Sequence, residues 1–262
     1  MNTAKQLSQL IQKSIEQSRI HHIVCESPQT TLFLKEILHT NPQNIHTFPC
    51  ANDAMLSTAM GMCISGAHVL LVLSTDQDLD ALYAILHEES YGTEFPLSLT
   101  ILLPSKAPQV SLFPLVHCTT GTQLLAHVQQ ALHTQNLNFI GYAPHALLDI
   151  PAQEAPSSAI THQEGEAITL FTTGIHIEAA QKFTQNHHDI ELIELVSLCP
   201  LPDSLIAKSV QKTGRVLLLE PPKELLKTIL DEAFWHLEAQ PEITKDPSMS
   251  NLEQLRLQLL EP

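Results

Sequence analysis

Residues 44–74, NIHTFPCANDAMLSTAMGMCISGAHVLLVLS, decide the fold. Ile45 to Phe48 has the composition of a short strand, and Pro49 stops it. Asn52 and Asp53 can each cap a helix by accepting a backbone N–H, so a helix is predicted to begin near Asn52. It carries small residues at Ala54, Ser57, Ala59, Gly61 and Ser65, a composition that allows close packing. Gly66 stands where a left-handed residue would end the helix. The run His68 to Ser74 then has the unbroken apolar core of a strand covered on both faces. The unit is strand, polar turn, tight helix, buried strand. Ligands of open α/β sheets sit at the carboxyl ends of strands, which directs attention to the turn Pro49 to Asp53.

Outward from this unit, strand and helix alternate. Residues 4–18 put Leu7, Leu10, Ile11 and Ile15 on one helical face. A short strand (Ile23 to Glu26), a helix over 30–40 and the break at Asn41-Pro42 follow. Beyond Ser74, Leu79, Leu82, Tyr83 and Leu86 recur at helical spacing behind an acidic first turn, which suits the positive end of the helix dipole. The acidic run Asp76, Asp78, Asp80 lacks the Gly and terminal Glu of a Ca²⁺ loop. Residues 95–104 and 110–116 read as strands. Thr119-Thr120-Gly121 opens a helix from Gln123 to His133, and a strand near 138–142 closes a first domain, 1–148. Residues 149–166, rich in Pro, Ser and Glu without periodicity, read as a linker. The second domain, 167–262, repeats the alternation: a strand over 167–174, a helix through Phe183, a buried strand over 190–198, a helix capped by Asp203 and ended by Gly214, and the strand VLLLE. A helix over Leu225 to Leu237 turns Ile229, Leu230 and Phe234 inward, and a last one over Asn251 to Leu260 is capped by Ser250 or Asn251. The fold class is α/β, two domains each with a mainly parallel sheet flanked by helices.

Composition removes several functions. Lys+Arg 13 against Asp+Glu 28 gives a formal net charge of -15, which excludes a nucleic-acid backbone or an anionic membrane surface as ligand. No apolar run approaches the roughly 18 residues of a spanning helix, and the N-terminus lacks a signal-peptide core. The five cysteines are scattered without a C-x-x-C and suit a reduced, cytoplasmic protein. The 15 histidines show no H-x-x-x-H or H-E-x-x-H spacing, so they read as solvated loop and helix-end residues rather than metal ligands. Charged residues are only 16% of the chain, below the ~25% of an average domain, which leaves neutral surface for a partner.

Residues 191–222 resemble the C-terminal domain of the transketolase superfamily. The closest pattern is the β subunit of the E1 component of 2-oxoacid (pyruvate-type) dehydrogenases, with Pro200-Leu201, Lys212-Thr213-Gly214-Arg215 and Glu220 in register. Residues 47–66 are similar to the family's strand, "S-E-x" turn and "A-x-G-x-A-x-x-G" helix, with Gly61 and Gly66 on its two glycines. The resemblance implies a pyrimidine-binding domain, a linker and a transketolase C-terminal domain. It implies thiamine diphosphate with Mg as cofactor, and pairing as a homodimer or as a hetero-oligomer with an α-type, diphosphate-binding subunit. In the family one Glu shares a proton with the aminopyrimidine ring. Counting back from Gly61, that position holds Asn52, with Asp53 as the substitute carboxylate about 100° away on the helix. Cys50 and Asn52 are the turn residues that would face the cofactor. An amide can bond the ring nitrogen but cannot exchange a proton with it.

Two further departures accompany this one. Thr75-Asp76-Gln77-Asp78 stands where the family has a pyrimidine-packing aromatic, and Ser105 to Gln109 replaces a long Gly-rich loop bearing a histidine. His117 is the nearest histidine in sequence and reads as a strand-end residue. Glu26 ends the first strand and could face the cleft. The expectation is an E1 β-like chain that keeps fold and assembly surface but has lost catalysis. The competing expectation is an active β-type subunit working with a separate α-type chain.

Overall fold

Ile45–Phe48 forms a strand and Asp53–Ile64 a helix, closed by Gly66 at φ +90°. Gly66 N–H donates to the Cys63 carbonyl and Ala67 N–H to the Met62 carbonyl, the paired bonds of a Schellman cap, which requires a residue without Cβ strain at positive φ. These features belong to a computed structural model that describes residues 3–17, 20–26, 44–49, 53–73, 97–104, 115–134, 136–143 and 155–261. The chain divides into two compact units, Met1–Pro156 and Ser157–Pro262. The helices expected over 30–40 and 76–91 lie outside the described residues.

The first unit runs α1 (Thr3–Gln17), β1 (His22–Glu26), β2 (Ile45–Phe48), α2 (Asp53–Ile64), β3 (Val69–Val72), β4 (Leu99–Pro104), β5 (Leu115–Cys118), α3 (Gly121–His133) and β6 (Asn138–Tyr142). The strands lie in the order β5-β6-β4-β3-β1-β2 and every pair among them is parallel. Ile11 and Ile15 of α1 and Leu124, Leu125 and Val128 of α3 join Ile23, Cys25, Leu70, Val72 and Tyr142 in one core. Each such aliphatic side chain contributes roughly 1.5–3 kcal/mol of transfer free energy. Ser14 Oγ accepts from Gln129 Nε2 at 3.0 Å and ties α1 to α3. None of the α2 side chains enters that core, yet α2 packs on β1, β3 and β4, so it covers the opposite face. Helices on both faces explain why VLLV of β3 is buried throughout.

Two expectations change here. Met55, Leu56, Ala59, Met60 and Cys63 are the buried face of α2, while Ala54, Ser57, Gly61 and Ser65 are exposed. A Cβ added at Gly61 would meet nothing within 4 Å among the described residues. Ala54, Ser57, Gly61 and Ser65 therefore lie on the outside, and of the small residues only Ala59 is on the buried face. The histidines are not uniformly solvated either: His68, His117 and His127 are buried. Burial first, and then the charge of His21, push the His68 imidazole below its usual pKa. A depressed value means that the unfolded chain binds the proton more readily, so this stability is present above about pH 6.5 and is lost as pH falls. The urea midpoint should drop between pH 7.5 and 5, and His68→Gln should flatten that profile. An equal slope in wild type and variant would refute the assignment.

The second unit runs β7 (Ala159–Gln163), β8 (Ile168–Thr173), a 3₁₀ turn (Gly174–His176), α4 (Ile177–Thr184), β9 (Ile190–Leu195), β10 (Ser197–Cys199), α5 (Asp203–Thr213), β11 (Val216–Leu219), α6 (Leu225–Ala233), a 3₁₀ turn (Phe234–His236), β12 (Glu242–Thr244) and α7 (Met249–Leu260). Its sheet order is β12-β11-β8-β9-β7, parallel except for β7 against β9. Ile168, Leu170, Phe183, Ile190, Leu192, Leu217 and Leu252 form its core.

Several local readings are corrected by these elements. Residues 159–163, read as linker, form β7, because pairing with β9 supplies what periodicity lacks. The expected strand over 190–198 divides at Val196, where Val196 and Ser197 N–H both turn to the Ser158 carbonyl. Asp203 is the first residue of α5 rather than its cap, and no side chain caps that helix. Gly214 ends it in the left-handed region, as expected, at φ +68°. On α6, Leu225, Ile229 and Ala233 turn inward, whereas Leu230 is 40% and Phe234 53% exposed. Leu230 lies one residue, about 100°, round the helix from Ile229, and Phe234 falls past the helix end. Ser248 occupies the cap position of α7 and its hydroxyl bonds Asp246 instead.

Candidate functional site at the carboxyl edge of the first sheet

Topology locates a crevice before any side chain is considered. From β1 the chain leads to β2 on one side, and from β3 it leads to β4 on the other, so the strand order reverses between β1 and β3. Ligands of open α/β sheets sit outside the carboxyl ends of strands at such a reversal. Glu26 closes β1 in register with Phe48 of β2, and Cys25 pairs with Val72 of β3. A glutamate thus ends β1 at the reversal, beside the strand that precedes residues 49–53. Asp53 opens α2. Cys50, Asn52, Thr75 to Asp78 and Ser105 to Gln109 lie outside the described residues.

Neutral polar groups make up the rest of the described edge. Thr120 caps α3: its hydroxyl accepts from Gln123 N–H at 3.2 Å, and Gln123 Oε1 accepts in return from Thr120 N–H at 3.1 Å. The same oxygen takes the Thr119 N–H at 2.8 Å and the Thr119 hydroxyl at 3.1 Å. Three polar contacts fix the Gln123 side-chain oxygen, and its Nε2 is buried with no hydrogen-bond partner among the described residues. Sequence reading missed this group, although the Thr-x-x-Gln spacing of a capping box is legible. Tyr142 ends β6 in register with Pro104 and Cys118, and burial pushes its hydroxyl up to about 12. It stays protonated at neutral pH.

His117 lies within β5 rather than at its end, fully buried and in register with Gly141. Burial pushes the Cys63 thiol up to about 12, so it is no nucleophile. Cys25, Cys63 and Cys118 are buried, as expected of small core residues. No group of three or more His, Cys, Asp or Glu among the described residues is placed to hold a metal ion. No described helix is long and apolar enough to cross a membrane. Among the described residues, this edge carries the Thr120–Gln123 capping box and the buried Tyr142 hydroxyl.

The chain matches no model of a known protein family. It is 29% identical over 154 residues to pyruvate dehydrogenase E1 component subunit beta of Chlorokybus atmophyticus, a match that takes in 52% of this chain. The chain spans less than half of that relative's length, 45%. To the protein of the same description from Acholeplasma laidlawii it is 23% identical over 234 residues, covering 74% of this chain and 71% of the relative. In three dimensions it is similar to a split-gene transketolase described as an inactive β4 tetramer, with TM-score 0.71 and 14% identity, over 92% of this chain and 87% of that one.

Proposed function

From a chain that is E1 β-like in sequence and transketolase-like in fold, we propose an assembly or regulatory subunit that keeps the pyrimidine-side architecture and has lost its catalytic step. Residues 1–148 serve as the pyrimidine-binding-like domain, and the second unit, which includes β7, as the transketolase C-terminal-like domain. The observation that carries the reading is the amide at position 52. Helix α2 begins at the next residue and ends in the Schellman cap at Gly66, which supports the register that places Asn52 on the family's Glu. Thiamine diphosphate, when bound with Mg²⁺, supplies a carbanion equivalent for 2-oxoacid chemistry. The donor set at this turn does not fit its activation, because an amide cannot relay the proton. The partner is an α-type, diphosphate-binding subunit or a second copy of this chain, in a reducing cytoplasmic compartment.

One observation favours the alternative of an active β-type subunit: Glu26 sits at the strand-order reversal, where a carboxylate could take over the lost role. Calorimetric titration with thiamine diphosphate and Mg²⁺, with and without an α-type chain, separates the two. The expected result is no 2-oxoacid turnover by the wild type in either mixture. Asn52→Glu should tighten cofactor binding by about tenfold, the ~1.4 kcal/mol of one charge-assisted hydrogen bond. Turnover by the wild type that disappears in Glu26→Gln would overturn the degenerate reading and install the alternative.

A further inference from the structure

Two imidazoles meet at the amino-terminal edge of the first sheet, opposite the edge just described. In the β1–β2 register His46 lies beside Val24, so His46 and His22, two residues before Val24, share one sheet face. His22 Nδ1 and His46 Nε2 are 3.1 Å apart, with ring centroids 5.1 Å apart and planes inclined at 56°. We propose that His22 and His46 form a two-nitrogen chelate for a divalent transition-metal ion of the zinc, copper(II) and nickel class.

The distances suit such an ion. Two nitrogens each bound at 2.0–2.1 Å to a tetrahedral ion stand about 3.3 Å apart, and at a square-planar ion about 2.9 Å. The observed separation falls between these values. The other explanation, a hydrogen bond between the rings, uses one N–H and one lone pair. Chelation needs both lone pairs, hence the His22 tautomer protonated on Nε2 and the His46 tautomer protonated on Nδ1. Both rings are partly buried, which limits the rotamer freedom lost on binding and leaves a path for the ion.

Imidazole nitrogen selects this class over Mg²⁺ or Ca²⁺, which prefer oxygen. His21 is committed elsewhere, since its Nδ1 accepts the His68 backbone N–H at 2.9 Å. No third protein ligand joins the pair among the described residues, so water completes the coordination, as in open rather than structural sites.

The test uses the full chain with any polyhistidine tag removed, stripped with chelator and titrated with Zn²⁺ at pH 7.5 by calorimetry. Because other histidines bind ions weakly, the readout is a difference. Wild type should bind one more equivalent than His22→Ala and than His46→Ala, and the exposed-site control His133→Ala should keep it. Should either alanine variant fail to fold, His46→Gln takes its place. Affinity at the lost equivalent should fall about tenfold or more. With Cu²⁺, electron paramagnetic resonance should show coupling to two nitrogens in wild type and fewer in each variant. Equal stoichiometry in wild type and both variants, or unchanged nitrogen coupling, would overturn the proposal. No cofactor enters this experiment, so its outcome is independent of the function proposed above.

Discussion

Gly165→Ala should strongly destabilise the second unit. A Cβ at this position would lie 2.2 Å from the Ile190 carbonyl carbon, 2.3 Å from Glu191 N and 2.7 Å from the Asp189 carbonyl oxygen. All three obstacles are backbone, at the start of β9. The turn is drawn against that strand because Glu166 N–H and Ala167 N–H both donate to the Asp189 carbonyl, at 3.1 and 2.9 Å. β9 cannot retreat, since β8 pairs it on one side and β7 on the other. Overpacking that side chains can absorb costs about 1–3 kcal/mol, and here backbone must move, so ~3 kcal/mol or more is expected. Gly61→Ala is the internal comparison. Nothing described stands within 4 Å of its Cβ, and alanine is the better helix former, so a gain of about 0.5–1 kcal/mol is expected. Urea unfolding of the two variants against wild type reads both signs at once, and a wild-type midpoint for Gly165→Ala would refute the close-approach argument.

The second large effect lies on the other side of the same strand position. Glu191 is 4% exposed on β9 and takes short contacts from the Ser209 hydroxyl and the Lys212 ammonium. The Thr169 hydroxyl, 3.3 Å from the carboxylate, also bonds Ser209 Oγ and Thr213 Oγ1 at 2.8 Å each. Burial alone would lower the Lys212 pKa, but hydrogen bonds to Glu164 and Glu191 and their charges outweigh it and raise the value. The raised value means that this stabilisation is complete below pH ~10.4 and is lost as pH climbs through the folded value. Lys212→Met leaves the Glu191 carboxylate enclosed without its cation. Breaking a fully buried pair costs about 3–5 kcal/mol. The Lys212 side chain is 37% exposed and water screens part of the loss, so ~2 kcal/mol is the expectation. Adding Glu191→Gln removes the stranded charge and should restore more than half of that stability. A double variant no more stable than Lys212→Met would mean that the cation does not act through Glu191.

This network shows where sequence reading stops. Lys212-Thr213-Gly214-Arg215 is visible as a motif, and Gly214 is legible as a helix end because positive φ is a local, steric demand that glycine meets. That Lys212 and Thr213 serve a glutamate some twenty residues earlier follows only from β9 and α5 being packed together. The same holds at the candidate site. The reading of Asn52 rests on a resemblance in sequence, whereas the standing of Glu26 depends on the strand order, which places β2 and β3 on either side of β1. The histidine pair at positions 22 and 46 could not be found by helical spacing rules, since a parallel register brings its members together across two strands.

By itself the sequence determined the alternation of strands and helices, the parallel sheets and the glycine helix ends, because burial pattern and backbone sterics act within a few residues. Only the tertiary structure decided that residues 159–163 form a strand, that Ala54, Ser57 and Gly61 of α2 face outward and that Gly165, not Gly61, tolerates no side chain. Those outcomes depend on which backbone lies opposite, and that is fixed by contacts between segments distant along the chain.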